Sequence, residues 1–269
     1  MKVQNKVIVV TGGGNGMGRE VTLNLLAKGA KVFAIDINEA ALQETVKLAG
    51  DKNVNLATMI LNITDKAAVE ALPAKVIERF GAVDGVINNA GIIQPFVRLK
   101  DLAYDAIERV LNVNLYGTLY MLKAFLPHLL ARPVAHIANI SSMGGFLPVP
   151  GQTIYGASKA AVKLMTEGLY AELLDTNVKV TVVYPGAIGT NITANSGVAI
   201  PGGENRSAEE QKFKPLAPSK AAEIIVDAIE NDRYNVHVGS DSKMMDFLTR
   251  LNPKMAAEFI YKQMKSLLS

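Results

Sequence analysis

The chain of 269 residues contains no cysteine, which excludes disulfides, thiolate catalysis and cysteine-based metal sites. Its absence also suits a reducing compartment. Histidine is scarce: His128, His136 and His237 show neither HxH nor HxxxH spacing, so no metal site is expected. Charge of one sign is lacking, since 28 Lys and Arg against 25 Asp and Glu leave a formal +3, with the basic residues scattered singly. That is no electrostatic footprint for nucleic acid. No run reaches the ~20 apolar residues of a membrane span. The most apolar stretch, Tyr116–Leu130, is interrupted by Lys123. Near the start only Val7–Val10 are consecutively apolar, too few for a signal-peptide core. A G-x-S-x-G elbow is missing too, which removes the α/β-hydrolase nucleophile. Repeats and low-complexity tracts are absent. The expectation is a soluble, cytoplasmic protein with no nucleic-acid and no membrane partner.

What is present reads as one α/β domain over residues 1–269. A chain of this length buries roughly 70–75% of its unfolded surface and needs no covalent staple. Short β-branched runs at Lys6–Thr11, Lys31–Asp36, Asn55–Leu61, Val83–Asn88, Val134–Ser141, Lys179–Tyr184 and Asn235–Val238 predict seven strands. Between them, helices are predicted over Met17–Lys28, Glu39–Ala49, Asp65–Phe80, Leu102–Leu130, Thr153–Asp175 and Ser219–Asn231. The alternation argues for βαβ units and a doubly wound, Rossmann-type parallel sheet. Strands as continuously apolar as VIVV and VTVV suit a sheet covered on both faces. Two regions break the pattern. Asn191–Pro218 is rich in Gly, Pro, Asn and Ser, with a weak helical piece near Ser207–Phe213; a connection that long is usually functional or disordered. The tail 240–269 reads as two short helices parted at Asn252–Pro253.

The first strand runs into Thr11-Gly12-Gly13-Gly14-Asn15-Gly16-Met17-Gly18, and a helix follows. A turn leaving a strand needs residues tolerant of positive φ. A pyrophosphate then meets close backbone and the positive end of the helix. The absent Cβ of Gly18 would let helix and strand pack closely. The bland alternative is a tight surface turn. Asp36, ending the second strand, would accept hydrogen bonds from an adenosine ribose and repel a 2′-phosphate. Ile37 and Asn38 follow, with no Lys or Arg to take that phosphate, so NAD is favoured over NADP. Asp36 as cap of the next helix is the competing role. Asn88-Asn89-Ala90-Gly91 ends the fourth strand at the edge where ligands of open α/β sheets bind, although the same tetrapeptide also suits a plain turn.

Ser142 ends the fifth strand, and thirteen residues on come Tyr155 and Lys159, one turn apart on a predicted helix face. Tyr-x-x-x-Lys also occurs at Tyr261 and Lys265, but without an upstream serine or strand; context selects Tyr155. A phenol titrates near ~10, and burial raises it further. Bringing it to ~7 takes about 4 kcal/mol of differential stabilisation. An ammonium and a nicotinamide cation are suited to supply that. Tyr155 would then exchange a proton with an alcohol or carbonyl that Ser142 holds. Asn114, inside an apolar helix, marks a local distortion, an ordered-water site or a satisfied core amide.

Together, TGGGNGMG (Thr11–Gly18), NNAG (Asn88–Gly91), Asn114, Ser142, Tyr155-x-x-x-Lys159 and Pro185-Gly186-x-x-x-Thr190 resemble the short-chain dehydrogenase/reductases over about residues 4–240. The resemblance implies that Lys159 also binds the nicotinamide ribose and that Asn114 holds a relay water. It implies that Pro185, Gly186, Ile188 and Thr190 contact the nicotinamide half, that the segment 191–218 is a substrate lid, and that the protein is a homo-oligomer, tetramer or dimer. Where the family has Asp contacting adenine, this chain has Asn62, followed by Ile63. The cofactor set is therefore Gly12, Asn15, Gly16, Met17, Gly18, Asp36, Ile37, Asn62, Ile63, Asn89, Ala90, Gly91, Tyr155, Lys159, Pro185, Gly186, Ile188 and Thr190. Substrate contacts are expected from Ser142, Gln94, Met143, Gln152, Tyr155 and Tyr184, with Ile93, Phe146, Leu147, Ala187 and the lid to Phe213 nearby. The tail's Met244, Met245, Phe247, Leu248, Met255, Phe259 and Met264 would close the pocket, extend an interface or pack on their own core. The reading is an NAD-dependent oxidoreductase acting on a neutral secondary alcohol or ketone. An NADP-dependent carbonyl reductase is the alternative within the fold, and a non-catalytic NAD(H)-binding sensor or scaffold the alternative outside it.

Overall fold

The computed structural model describes residues 1–199 and 215–268. Seven strands form one wholly parallel sheet in the order β3-β2-β1-β4-β5-β6-β7. They are β1 (Val7–Thr11), β2 (Lys31–Asp36), β3 (Leu56–Ile60), β4 (Gly85–Asn88), β5 (Ala135–Ile140), β6 (Val178–Pro185) and β7 (Asn235–Val238). All seven predicted strands are found, each within three residues of its expected ends. The legibility of the central strands β1, β4 and β5 follows from burial on both faces. In β1 every residue is buried; Ile8 and Val10 enter one core, Val7 and Val9 the other.

The first core is closed by α1 (Gly16–Ala27), α2 (Glu39–Ala49) and α9 (Pro218–Glu230), through residues such as Leu25, Leu42 and Ile225. The opposite core takes Val69 of α3 (Lys66–Glu70) and Val76 of α4 (Leu72–Phe80), with Phe125 of α6 (Thr118–Leu130) and Leu169 of α7 (Thr153–Glu172). The expected helix over Asp65–Phe80 is broken at Ala71, because Pro73 sits in the first turn of α4, where a missing N–H is tolerated. The long helix expected over Leu102–Leu130 is three pieces: α5 (Tyr104–Leu111), a π-helical turn over Asn112–Gly117, and α6. Asn114 lies in that turn, so the expected local distortion is real. Of the expected lid, residues 191–199 and 215–218 are described, and α8 (Ile192–Ser196) is a helix the pattern did not reveal. The helical piece expected near Ser207–Phe213 lies outside the described residues.

The tail forms α10 (Ser240–Leu251) and α11 (Pro253–Met264). Met245, Ala256 and Ile260 make a third core with Leu147, packed by Met143, Phe146, Leu248 and Met264. The tail therefore lies on the loop that follows Ser142, while Met244, Phe247, Met255 and Phe259 are exposed. No helix among the described residues is long and apolar enough to cross a membrane. The strand order reverses between β1 and β4, and a crevice opens at the carboxyl edge there.

Candidate active site

One cleft of about 380 Å³ runs along that edge, within the range of ordinary ligand sites. Its floor is the turn after β1. Gly12 (φ 67°) and Gly16 (φ 50°) occupy the left-handed region, which favours glycine. A Cβ on Gly18 would stand 2.1 Å from the Gly12 carbonyl oxygen, so α1 packs against the turn only because that atom is missing. Asn15 is the N-cap of α1, its Oδ1 accepting from Gly16 N at 2.7 Å. Thr11 ties this turn to β4: its hydroxyl accepts from Asn89 N and Ala90 N, both at 2.9 Å, and its carbonyl from Asn89 Nδ2 at 3.0 Å. Asn88 in turn donates to Asn139 at 2.8 Å. The NNAG amides are thus sheet-edge ties rather than an isolated turn.

Asp36 closes one end. Its Oδ2 accepts from Gly14 N and its Oδ1 from Asn38 N, each at 3.0 Å. Asn38, not Asp36, caps α2, accepting from Ala41 N at 2.9 Å. Arg19, the cation bonded to this turn, has Nε on the Gly14 carbonyl and Nη2 on the Ala41 carbonyl. Ile37, Leu61, Asn62 and Ile63 continue the wall, a mostly apolar slot suited to a flat ring. Asn62 accepts from Thr64 N at 3.0 Å.

The other end holds Ser142, Tyr155 and Lys159. Ser142 Oγ accepts from Gly144 N at 3.0 Å, and the same hydroxyl bonds the Tyr155 phenol. Burial pushes that phenol above its ordinary value, and the Ser142 bond pulls back more weakly. Lys159 follows one turn along α7 and lines the same cleft. Its ammonium donates to the Ile140 carbonyl at 2.9 Å, and burial brings it down to about 8. Ser141 Oγ donates to the Lys159 carbonyl at 2.7 Å, fixing α7 to β5. Gly91 leaves the amine its space: a Cβ there would stand 3.0 Å from Nζ and 3.3 Å from Asn114 Oδ1. Asn114 is wholly buried, its Oδ1 accepting from Ile92 N and its Nδ2 donating to the Ile92 carbonyl and Ser158 Oγ, all at 2.9 Å.

Every expected cofactor residue except Gly18 lines the cleft; Gly18 acts beneath it. The residues present fit a dinucleotide: a glycine cradle that side chains would fill, a carboxylate at one end and hydroxyls at the other. The substrate expectations fare differently. Gln94 is wholly buried, its Oε1 accepting from Ile154 N at 2.8 Å and Tyr155 N at 3.0 Å, its Nε2 donating to the Gly151 carbonyl. Gln152 is buried and donates to the Gln94 carbonyl at 2.8 Å. These two amides clamp the start of α7 and neither lines the cleft; Gln152 borders a second cavity with Phe146 and Leu147. Tyr184 is buried against His237, ring centroids 5.1 Å apart, and reaches Glu167 at 3.3 Å; burial first and that carboxylate next hold its phenol above the usual range. Met143 packs under the tail. Tyr184 and Gln94 are thus held by partners 17 and 61 positions away in sequence. Ile192 and Asn195 of α8, within the expected lid, also line the cleft. Asn195 accepts from Asn15 Nδ2 at 3.3 Å, and Arg109 holds the Ser196 carbonyl at 2.9 Å. The described start of the expected lid therefore lies over the cradle.

Residues 6–199 match the family model described as short chain dehydrogenase. The chain is 37% identical to SadH of Mycobacterium tuberculosis over 252 residues, 92% of this chain and 91% of that one. It is 34% identical to an uncharacterized oxidoreductase of Staphylococcus epidermidis over 79% of its own length and 89% of the relative's. Among solved structures, a short chain dehydrogenase/reductase from Burkholderia phymatum in complex with NAD superposes with a TM-score of 0.84 at 26% identity, covering 95% of this chain and 96% of the other. A short chain dehydrogenase from Burkholderia cenocepacia in complex with NADP gives 0.79 at 25% identity, covering 97% and 99%.

Proposed function

The chain belongs to the short chain dehydrogenase family, and from that premise we propose that it is an NAD-dependent oxidoreductase that moves a hydride between nicotinamide and a secondary alcohol or ketone. One observation carries the reading: the glycine turn, Asp36, Ser142, Tyr155 and Lys159 all line a single cleft. The backbone at Gly12–Gly16 and the first turn of α1 would hold the pyrophosphate. Asp36 would take the adenosine ribose and leave a 2′-phosphate facing a carboxylate, with Arg19 already engaged by two carbonyls. Asn62 and Ile63 would border the adenine, and Pro185, Gly186, Ile188 and Thr190 the nicotinamide half.

Bound nicotinamide supplies the hydride acceptor in oxidation and the donor in reduction. The chain supplies the proton chemistry. With its phenol raised by burial, Tyr155 is protonated at neutral pH and poised to donate to a carbonyl oxygen held by Ser142. Taking a proton from an alcohol requires the phenol to fall to about 7, which is about 3 pKa units or roughly 4 kcal/mol below its ordinary value, in addition to offsetting the rise caused by burial. Lys159, still mostly protonated at pH 7, is the chain's own positive charge for that task. The reading is tested by titrating NADH and NADPH fluorescence against wild type and Asp36→Ala. The expected result is a preference for NADH of about tenfold or more, near 1.4 kcal/mol, that the substitution erodes. Equal affinity for both coenzymes in the wild type would overturn the NAD assignment.

A further inference from the structure

The Pro185–Ile188 stretch leaves β6 and lines the cleft, yet its backbone is anchored from outside the cleft by the start of α10. Asp241 Oδ2 accepts from Ala187 N at 2.7 Å. Ser242, wholly buried, donates its hydroxyl to the Tyr184 carbonyl at 2.8 Å. Between these two bonds lie Pro185 and Gly186. The Asp241 carboxylate rides directly on Gly186: a Cβ at that position would stand 2.3 Å from both of its oxygens. The glycine is therefore demanded by the tail, since the φ of Gly186 lies outside the left-handed region. Gly186 N donates to the Val238 carbonyl at 2.9 Å, so the segment 238–242 holds three consecutive features of this turn.

We propose that Asp241 is a positioning residue for the nicotinamide half of the coenzyme, fixing the Gly186–Ala187 backbone through the C-terminal helical extension. It touches no reacting atom; it acts through the strand end that borders them. The inference rests on the proposed dinucleotide function. It gives the extension a task at the site beyond covering the loop after Ser142.

The test compares NADH with ADP-ribose, which keeps the adenosine and both phosphates but lacks nicotinamide. Binding is measured for wild type, Asp241→Ala and Asp241→Asn, with melting temperatures alongside. The expected result for Asp241→Ala is a loss of NADH affinity of about tenfold, the scale of one charge-assisted hydrogen bond, with ADP-ribose affinity unchanged. Asp241→Asn, which keeps an acceptor for Ala187 N, recovers most of the loss. Gly186→Ala, which displaces the carboxylate, reproduces the Asp241→Ala pattern and adds little to it when the two are combined. Equal losses for both ligands, or no loss for either, would overturn the inference, and the melting temperatures identify a variant that fails to fold. Should Asp241→Ala fail to fold, Asp241→Asn combined with Gly186→Ala carries the same comparison. Wild-type protein that binds neither ligand would instead sink the dinucleotide reading on which the inference stands.

Discussion

Replacing Gln94 by leucine separates a structural amide from a substrate contact. The side chain fits the same volume but removes the acceptor shared by Ile154 N and Tyr155 N, at 2.8 and 3.0 Å, and the donor to the Gly151 carbonyl. Those two N–H groups are at the second and third positions of α7, where a cap acceptor is normally local. Here the N-cap residue, Gln152, makes no capping bond with its side chain, and the acceptor arrives from 60 residues upstream. Loss of a cap costs about 1 kcal/mol, and part-buried groups left without partners add about 1 kcal/mol more. A destabilisation of about 2–3 kcal/mol is expected in urea unfolding. The same change loosens the backbone of Tyr155 itself. A displacement of ~1 Å at a reacting group costs on the order of 100-fold. Turnover, kcat, is therefore expected to fall by about that factor while KM moves little and NADH affinity holds. A rise in KM alone, with stability and kcat intact, would refute this reasoning and restore Gln94 to the substrate pocket.

Two further outcomes follow from the same geometry. Gly18→Ala drives a Cβ to 2.1 Å from the Gly12 oxygen and 2.4 Å from Asn89 Nδ2. The backbone must shift, so a loss of about 1–3 kcal/mol and a tenfold or greater weakening of NADH binding are expected; calorimetry and fluorescence titration check both. Burial sets Lys159 at about 8 against 10.5 in the unfolded chain. Between those values the unfolded chain binds the proton and the native one does not, so this group makes stability rise with pH across that window. Below about pH 8 both forms are protonated and the burial penalty is present in full. Lys159→Met is expected to flatten the slope of unfolding free energy between pH 8 and 10.5, measured by urea midpoints; an unchanged slope would count against the burial of a titrating amine.

The centre of the sheet was readable because β1, β4 and β5 are buried on both faces, which leaves uninterrupted apolar runs such as Val7–Val10. The cradle was readable because its chemistry is local: glycines, a helix start and a carboxylate one strand away. Asn114 announced the π-helical turn as a polar residue in an apolar helix. What stayed hidden depends on partners distant in sequence. That Gln94 and Gln152 hold the start of α7 cannot be read from their own surroundings in sequence. Helix α8 has five residues and is held by Arg109 and by the amide of Ile93, neither of which its own sequence reveals. Asp241 carries no local signal at all; only the approach to Gly186 does. Burial pushes the Tyr155 phenol up and the Lys159 ammonium down, an effect of tertiary packing that the Tyr-x-x-x-Lys spacing does not carry.

The direct test of proton handling at Tyr155 is single-turnover kinetics of Tyr155→Phe, using whichever secondary alcohol or ketone of a broad panel the wild type converts. If Tyr155 handles the proton, NADH affinity stays within about twofold of wild type and turnover falls by about 1,000-fold, the middle of the range for general acid–base catalysis. Turnover within tenfold of wild type, at preserved coenzyme affinity, would contradict that role.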